Sequence, residues 1–137
     1  MMFVLDTNVV SELRKGAKAN ANVSSWAAAH ATTSFYISVV TLLELEHGVL
    51  LKEKKDPKQG QVLRNWLSGQ VMPAFHHRTL DINSEVALEC ARLHAADPQS
   101  YRDSLIAATA LVAGMTVVTR DTAPFGAMKV PFVNPWL

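Results

Sequence analysis

The chain has 137 residues, one cysteine and a formal charge of +1, with 49% hydrophobic and 18% charged residues. This composition predicts one folded domain spanning residues 1–137 and excludes an intrinsically disordered chain. It also excludes a disulfide within the chain, a cysteine-based zinc site and a large excess of either charge.

The first half of the chain alternates apolar strands with helices. Residues Phe3–Leu5 form an apolar run that predicts a buried strand ending at Asp6, and a second strand is predicted over residues 34–38. Hydrophobic periodicity predicts the helices of this half, in chain order, over residues 9–14, 22–30, 41–54 and 61–71.

The second half continues this alternation. A strand is predicted over residues 78–82, an amphipathic helix over 84–96, and a buried helix, apolar almost all round, over 102–113. Strands are predicted over residues 115–119 and 129–133. Short apolar strands between helices are typical of an α/β fold, in which a mainly parallel sheet is flanked by helices. The pattern leaves the strand order open.

No segment is typical of a secretory signal or of a membrane-spanning helix. The N-terminal apolar run ends after a few residues and has no basic residues before it. The apolar stretch without charge over residues 104–119 is shorter than the roughly 20 residues that a spanning helix needs. We therefore expect a cytoplasmic protein with no membrane partner.

Four carboxylates lie at or near the ends of predicted elements. Asp6 and Asp121 follow strands, Asp103 lies in the first turn of the buried helix, and Glu44 lies in the helix after the second strand. In open parallel sheets, sites form outside the carboxyl ends of the strands, and grouped carboxylates call for a cation such as Mg²⁺ or Mn²⁺. Each residue alone is more typical of a helix cap, a first-turn charge or a turn than of a metal ligand, and for the four together spacing leaves both interpretations open.

Helical periodicity does not select Glu44 as the acid of its helix. Glu46 lies within the apolar arc of that helix, whereas Glu44 lies outside it. The more unusual carboxylate is therefore Glu46, and the choice between the two stays open at this point.

Five segments match one known family in order and spacing. They are LDTNV at residues 5–9, SVVTLLELEHG at 38–48, RDSLIAATA at 102–110, VTRD at 118–121 followed by Phe125, and VNPW at 133–136. Through these segments the chain resembles the PIN-domain proteins from end to end, and within them the VapC-like toxins of the FitB-like branch.

The resemblance implies a PIN-like three-layer α/β/α domain with a mainly parallel central sheet. It implies an endoribonuclease that hydrolyses RNA phosphodiester bonds with a carboxylate-held Mg²⁺ or Mn²⁺ ion, and that acts as the toxin of a VapBC-type toxin–antitoxin pair. The implied partners are RNA, a small VapB-like antitoxin in a heteromeric complex, a second copy of the chain in a homodimer, and operator DNA only through the antitoxin.

The resemblance also implies the catalytic acids, Asp6, Glu44, Asp103 and Asp121, and so favours Glu44 over Glu46. Asp6 and Asp103 are expected to hold the metal, while Glu44 ligates it or orients the attacking water. Much of the family has Asn at the position of Asp121, so its role and the number of ions stay open. Because grouped carboxylates repel one another, we expect asparagine at position 6 or 103 to keep the fold and even to stabilise it.

Four neighbours of these acids are candidates for binding substrate or supporting the site. Thr7 and Asn8 follow Asp6, where they could cap a helix or hydrogen-bond a site carboxylate or a phosphate. Arg102 and Arg120 each precede a site aspartate, where they could contact RNA phosphates or be ordinary surface arginines.

An alternative function is a PIN-fold binding module with weak or no nuclease activity, working mainly as the partner of a DNA-binding antitoxin in operator autoregulation. A degenerate domain of that kind should have lost one of the four acids, and none is lost. In either case, we expect the predicted helices over residues 9–14, 22–30 and 61–71 to form a groove that accepts an antitoxin helix.

Overall fold

A five-stranded, entirely parallel sheet forms the centre of the protein in a computed structural model that describes all residues from 1 to 137. The strand order is β3-β2-β1-β4-β5, with helices packed on both faces, so the α/β/α prediction is confirmed. The strands are β1 (Phe3–Leu5), β2 (Phe35–Ser38), β3 (Thr79–Leu80), β4 (Thr116–Val118) and β5 (Phe132–Val133).

Eight α-helices connect and flank these strands. No helix is both long and apolar enough to cross a lipid bilayer. The helices are α1 (Thr7–Leu13), α2 (Ala21–Ala28), α3 (Val39–Lys55), α4 (Pro57–Trp66), α5 (Met72–Ala74), α6 (Ser84–Ala96), α7 (Tyr101–Ala113) and α8 (Ala123–Ala127).

Two predicted elements differ from those observed. The helix predicted over residues 61–71 already begins at Pro57, because Asp56 caps it through the backbone N–H of Gln59, and its last turn, Leu67–Val71, is a π-helix. The strand predicted over residues 129–133 is only β5, because Lys129 has a left-handed backbone (φ 59°) that ends a turn rather than starting a strand.

The central strand β1 separates two hydrophobic cores. Val4 packs with the core of α6 and α7, whereas Phe3 and Leu5 pack on the opposite face with the core of α1, α3 and the π-helix. Such burial on both faces explains why the strands are continuous apolar runs. It also places α7, which carries Asp103, directly beneath the sheet.

The carboxyl ends of β1 and β4 lie side by side. Leu5 pairs with Val118 in parallel register, and the backbone N–H of Asp6 donates to the carbonyl of Val118 at 2.9 Å. Asp6 and Thr119 therefore leave the sheet together, although they lie far apart in the sequence. This edge is where open parallel sheets form their sites.

Candidate active site

Asp6 lies fully buried at the end of β1, where its carboxylate also caps α1. One carboxylate oxygen, Oδ1, accepts the backbone N–H of Thr7 at 2.7 Å. The other, Oδ2, accepts the hydroxyl of Thr119 at 2.7 Å and the amide of Asn8 at 3.4 Å. These donors compensate part of the cost of burying a carboxylate, and the remaining charge calls for a cation.

That cation is the guanidinium of Arg102, which lies among three carboxylates. Nη2 donates to Oδ1 of Asp6 at 2.5 Å and to Oε1 of Glu44 at 2.9 Å. Nε donates to the second oxygen of Glu44 at 2.9 Å, and Nη1 donates to Oδ1 of Asp103 at 2.9 Å. Asp6, Glu44 and Asp103, here called the acidic cluster, therefore share one positive charge.

Hydroxyl groups hold two members of the acidic cluster from outside. The Thr7 hydroxyl donates to Glu44 at 2.5 Å and lies 3.1 Å from the hydroxyl of Thr41. Ser100 caps α7 by accepting the backbone N–H of Asp103 at 3.1 Å, and its own hydroxyl donates to the Asp103 carboxylate at 2.9 Å. The acids are thus oriented by groups other than Arg102.

The protonation of the cluster follows from these contacts. Burial raises the pKa of Glu44, but hydrogen bonds from Arg102 and Thr7 lower this pKa by more, so it lies below its usual value. Burial lowers the pKa of Arg102, but Glu44, Asp6 and Asp103 raise that pKa by more. The Glu44 carboxylate and the guanidinium are consequently both ionised at neutral pH.

The structure places Glu44, not Glu46, in the acidic cluster. Glu46 instead makes a bidentate pair with Arg64 of α4, with both distances 2.7 Å, and Arg64 also contacts Glu53. The Glu46 carboxylate thus serves the contact between α3 and α4.

Asp121 lies outside the acidic cluster. Its carboxylate is exposed and makes no hydrogen bond or ion pair, while its backbone N–H donates to the Thr119 hydroxyl at 3.1 Å. The backbone N–H of Arg120 donates to the Asn8 side chain at 3.2 Å, and the Arg120 guanidinium lies 5.4 Å from the ring centre of Trp136. Asp121 and Arg120 therefore flank the cluster on the β4 side without contacting it.

Sequence reasoning did not single out Thr119, Thr41 or Ser100 as site residues. Thr119 and Thr41 are fully buried hydroxyls, and Ser100 precedes a helix that carries a site acid. A threonine directly after a buried strand and a serine three residues before a site aspartate are the available signals, and each is also typical of an ordinary cap.

The acidic cluster has the chemistry of a site for a divalent cation. No three Asp, Glu, His or Cys side chains converge closely enough in this conformation to hold a metal ion by themselves, because the guanidinium lies between the carboxylates. The same three carboxylates already surround one cation, and they offer only oxygen donors, which hard ions prefer.

Comparisons with known proteins identify the family of this chain. The PIN domain model matches residues 3–130. VapC ribonuclease Y4jK of Sinorhizobium fredii is 38% identical over 98% of both chains, and Toxin FitB of Neisseria gonorrhoeae is 34% identical over 98% of this chain and 99% of its own. The solved structure of FitAB bound to an IR36 DNA fragment matches with a TM-score of 0.89 and 33% identity, over 99% of this chain and 96% of that one. The chain therefore belongs to the PIN-domain family, among the relatives of VapC and FitB.

Proposed function

We propose that this protein is a divalent-metal-dependent endoribonuclease and the toxin of a VapBC-type toxin–antitoxin pair. The observation that carries the proposal is the convergence of Asp6, Glu44 and Asp103 on one cation at the carboxyl edge of the sheet. The names of two relatives, VapC ribonuclease and Toxin FitB, support the substrate and the biological role.

The proposed roles are those that the family resemblance implies for these acids. Asp6 and Asp103 would hold Mg²⁺ or Mn²⁺, and Glu44 would orient the attacking water or bind the ion directly or through a water. When bound, such an ion lowers the pKa of a water molecule and neutralises charge on the phosphate. Thr7 keeps the Glu44 carboxylate directed into the cluster, and Asp121, at the edge, is the fourth acid of the site.

The remaining polar neighbours are proposed to position acids and substrate. Asn8 holds the end of β1 to the segment after β4, since its amide contacts Asp6 and Thr119 and its oxygen accepts the Arg120 N–H. The guanidinium of Arg120, at the edge of the site, is available to an RNA phosphate.

Metal removal tests the proposed activity directly. We expect the purified protein to cleave single-stranded RNA with Mg²⁺ or Mn²⁺, to lose cleavage in excess EDTA, and to regain it when Mn²⁺ is restored, because only oxygen ligands are available. Gel analysis of a labelled RNA measures this. Cleavage that survives EDTA would contradict the metal site, and no cleavage with either ion would favour the binding module instead.

An apolar groove supports the antitoxin as partner. It lies between α1, α4 and the π-helix, has a volume of about 340 Å³, and is lined mainly by apolar side chains. Helix α2 lines no part of this groove, since its Trp26 packs against Phe3 and Phe35. The contribution expected from residues 22–30 stays a prediction. The apolar lining residues are Leu5, Val10, Leu13, Trp66, Val71, Ala74 and Phe75.

Trp66 is the large side chain through which this groove can be tested. We expect Trp66→Ala to weaken binding of the co-expressed neighbouring gene product by about tenfold or more, since buried tryptophans dominate interface energies. Leu88→Ala is the control, because Leu88 is an exposed apolar residue of α6 outside the groove. Calorimetric titration of both variants with the partner measures this effect. Equal affinities of the two variants for the partner would show that the antitoxin binds outside this groove.

A further inference from the structure

We propose that Arg102 occupies the metal position in the metal-free protein, so that a divalent ion binds only in exchange for its guanidinium. This inference rests on the proposed metal site, but it concerns how that site is filled. It assigns to Arg102 a role toward the ion, whereas the sequence indicated only an RNA contact or a surface residue.

The contacts of Arg102 make it unfavourable for the guanidinium and a metal ion to occupy the acidic cluster at the same time. Its guanidinium reaches Asp6, Glu44 and Asp103 at 2.5–2.9 Å, and these are the oxygens that a metal ion would need. A divalent ion and a guanidinium among the same three carboxylates would repel each other strongly at such distances. Binding of the ion therefore requires the side chain to withdraw.

Arg102 can withdraw without disturbing the fold. It lies at the second residue of α7, and its side chain is 31% exposed, so a path to solvent is open. None of its side-chain hydrogen bonds reaches a backbone atom. The movement is a change of side-chain rotamer at a helix end.

The acidic cluster keeps its shape after this withdrawal. Asp6 retains its bonds from the Thr7 backbone and from Thr119, and Asp103 retains its bond from Ser100. Glu44 retains the hydroxyl of Thr7. Each acid thus has a donor of its own that does not depend on Arg102, and together they leave a preformed set of oxygens for the ion.

Exchange predicts a specific effect on metal affinity. A ligand that binds only a fraction of the molecules has its dissociation constant raised by the inverse of that fraction. If Arg102 leaves the cluster in about 10% of molecules or fewer, its removal tightens Mn²⁺ binding by about tenfold or more.

Calorimetric titration of the whole protein with Mn²⁺, without RNA, tests this. We expect Arg102→Gln to bind Mn²⁺ at least about tenfold more tightly than wild type, to melt at a lower temperature without metal, and to show a larger rise in melting temperature with it. Arg92→Gln is the matched control, since it removes the same charge from an exposed residue that pairs only with Glu89, and its affinity should equal that of wild type.

Arg102→Lys distinguishes occupancy of the metal position by the arginine side chain from a general effect of its positive charge. Lysine keeps the positive charge but cannot span three carboxylates, so exchange predicts affinity between those of wild type and Arg102→Gln. If Arg102→Gln does not fold, Arg102→Lys alone tests the exchange. Affinity in both variants no tighter than in wild type would overturn the exchange while leaving the metal site intact. Failure of wild type and variants alike to bind Mn²⁺ would overturn the metal site, and the exchange with it.

Discussion

Replacing Asp103 with asparagine is expected to slow RNA cleavage by at least about a hundredfold while leaving the fold intact. Asparagine keeps the size of the side chain and removes the charge that a metal ion needs. The Asp103 side chain is 14% exposed, and Arg102 and Ser100 donate to its two different oxygens. In asparagine the amide oxygen can still accept from Arg102, while the amide NH₂ donates to the Ser100 hydroxyl. Cleavage of a labelled RNA with Mn²⁺, together with circular dichroism, measures the two effects.

The matched control is Glu46→Gln, which removes a carboxylate from α3 outside the acidic cluster and should cleave RNA like wild type. Cleavage at the wild-type rate by Asp103→Asn, with an unchanged spectrum, would exclude the cluster as the catalytic site.

Asp6→Asn is expected to slow RNA cleavage as much as Asp103→Asn does, and also to lower the stability of the fold. The buried Asp6 carboxylate accepts from four groups, Thr7, Asn8, Thr119 and Arg102, so an amide NH₂ at this position would face a donor. An unsatisfied buried group of this kind costs about 1–3 kcal/mol. At position 6 we therefore expect asparagine to destabilise the protein, in place of the stabilisation expected from the sequence. The reason is that the positive charge of Arg102 already compensates the repulsion among the acids.

Gly60→Ala is expected to lower the free energy of unfolding by about 1–3 kcal/mol or more. A Cβ atom on Gly60 would lie 2.5 Å from Cα and 2.7 Å from the backbone nitrogen of Glu53, so α3 and α4 would have to move apart. The pair of Arg64 with Glu46 spans the same two helices and would be strained as well. Urea denaturation followed by circular dichroism measures the loss.

Gly48→Ala provides the comparison within the same helix. Gly48 lies inside α3, and a Cβ atom there would have no neighbour within 4 Å. Alanine should raise stability at this position by about 0.5–1 kcal/mol, because glycine loses more backbone entropy in a helix. A similar loss of stability in both variants would show that the close contact at Gly60 is not the cause.

The sequence was sufficient for the elements whose burial is complete. The run Phe3–Leu5 is buried throughout and α7 is buried from Ile106 to Ala110, so no polar face obscures their pattern. Asp6 follows the first of these elements and Asp103 lies in the first turn of the second, but spacing alone leaves a cap or a first-turn charge open, and only the family resemblance favoured a site role for both. The local sequence pattern therefore predicts an element well where the surroundings of that element are uniformly apolar.

The contacts around Arg102 could not be predicted in the same way. The orientation of its side chain depends on Asp6 and Glu44, which lie 96 and 58 positions away in the chain. Nothing in the adjacent residues distinguishes Arg102 from a surface arginine. The ambiguity between Glu44 and Glu46 has the same origin, since the partner of Glu46 is Arg64 on another helix. Pairings between distant elements, not local periodicity, decide these positions.

The pairing of β1 with β4 determines when the surroundings of Asp6 are completed during synthesis of the chain. Asp6 and Thr119 are 113 positions apart, so their hydrogen bond can form only after nearly the whole chain has been made. A ribosome making this chain therefore carries Asp6 through nearly all of synthesis without the strand that completes its surroundings. An unfinished polypeptide released before Thr116 would lack this strand altogether, so premature termination yields fragments in which the surroundings of Asp6 are incomplete.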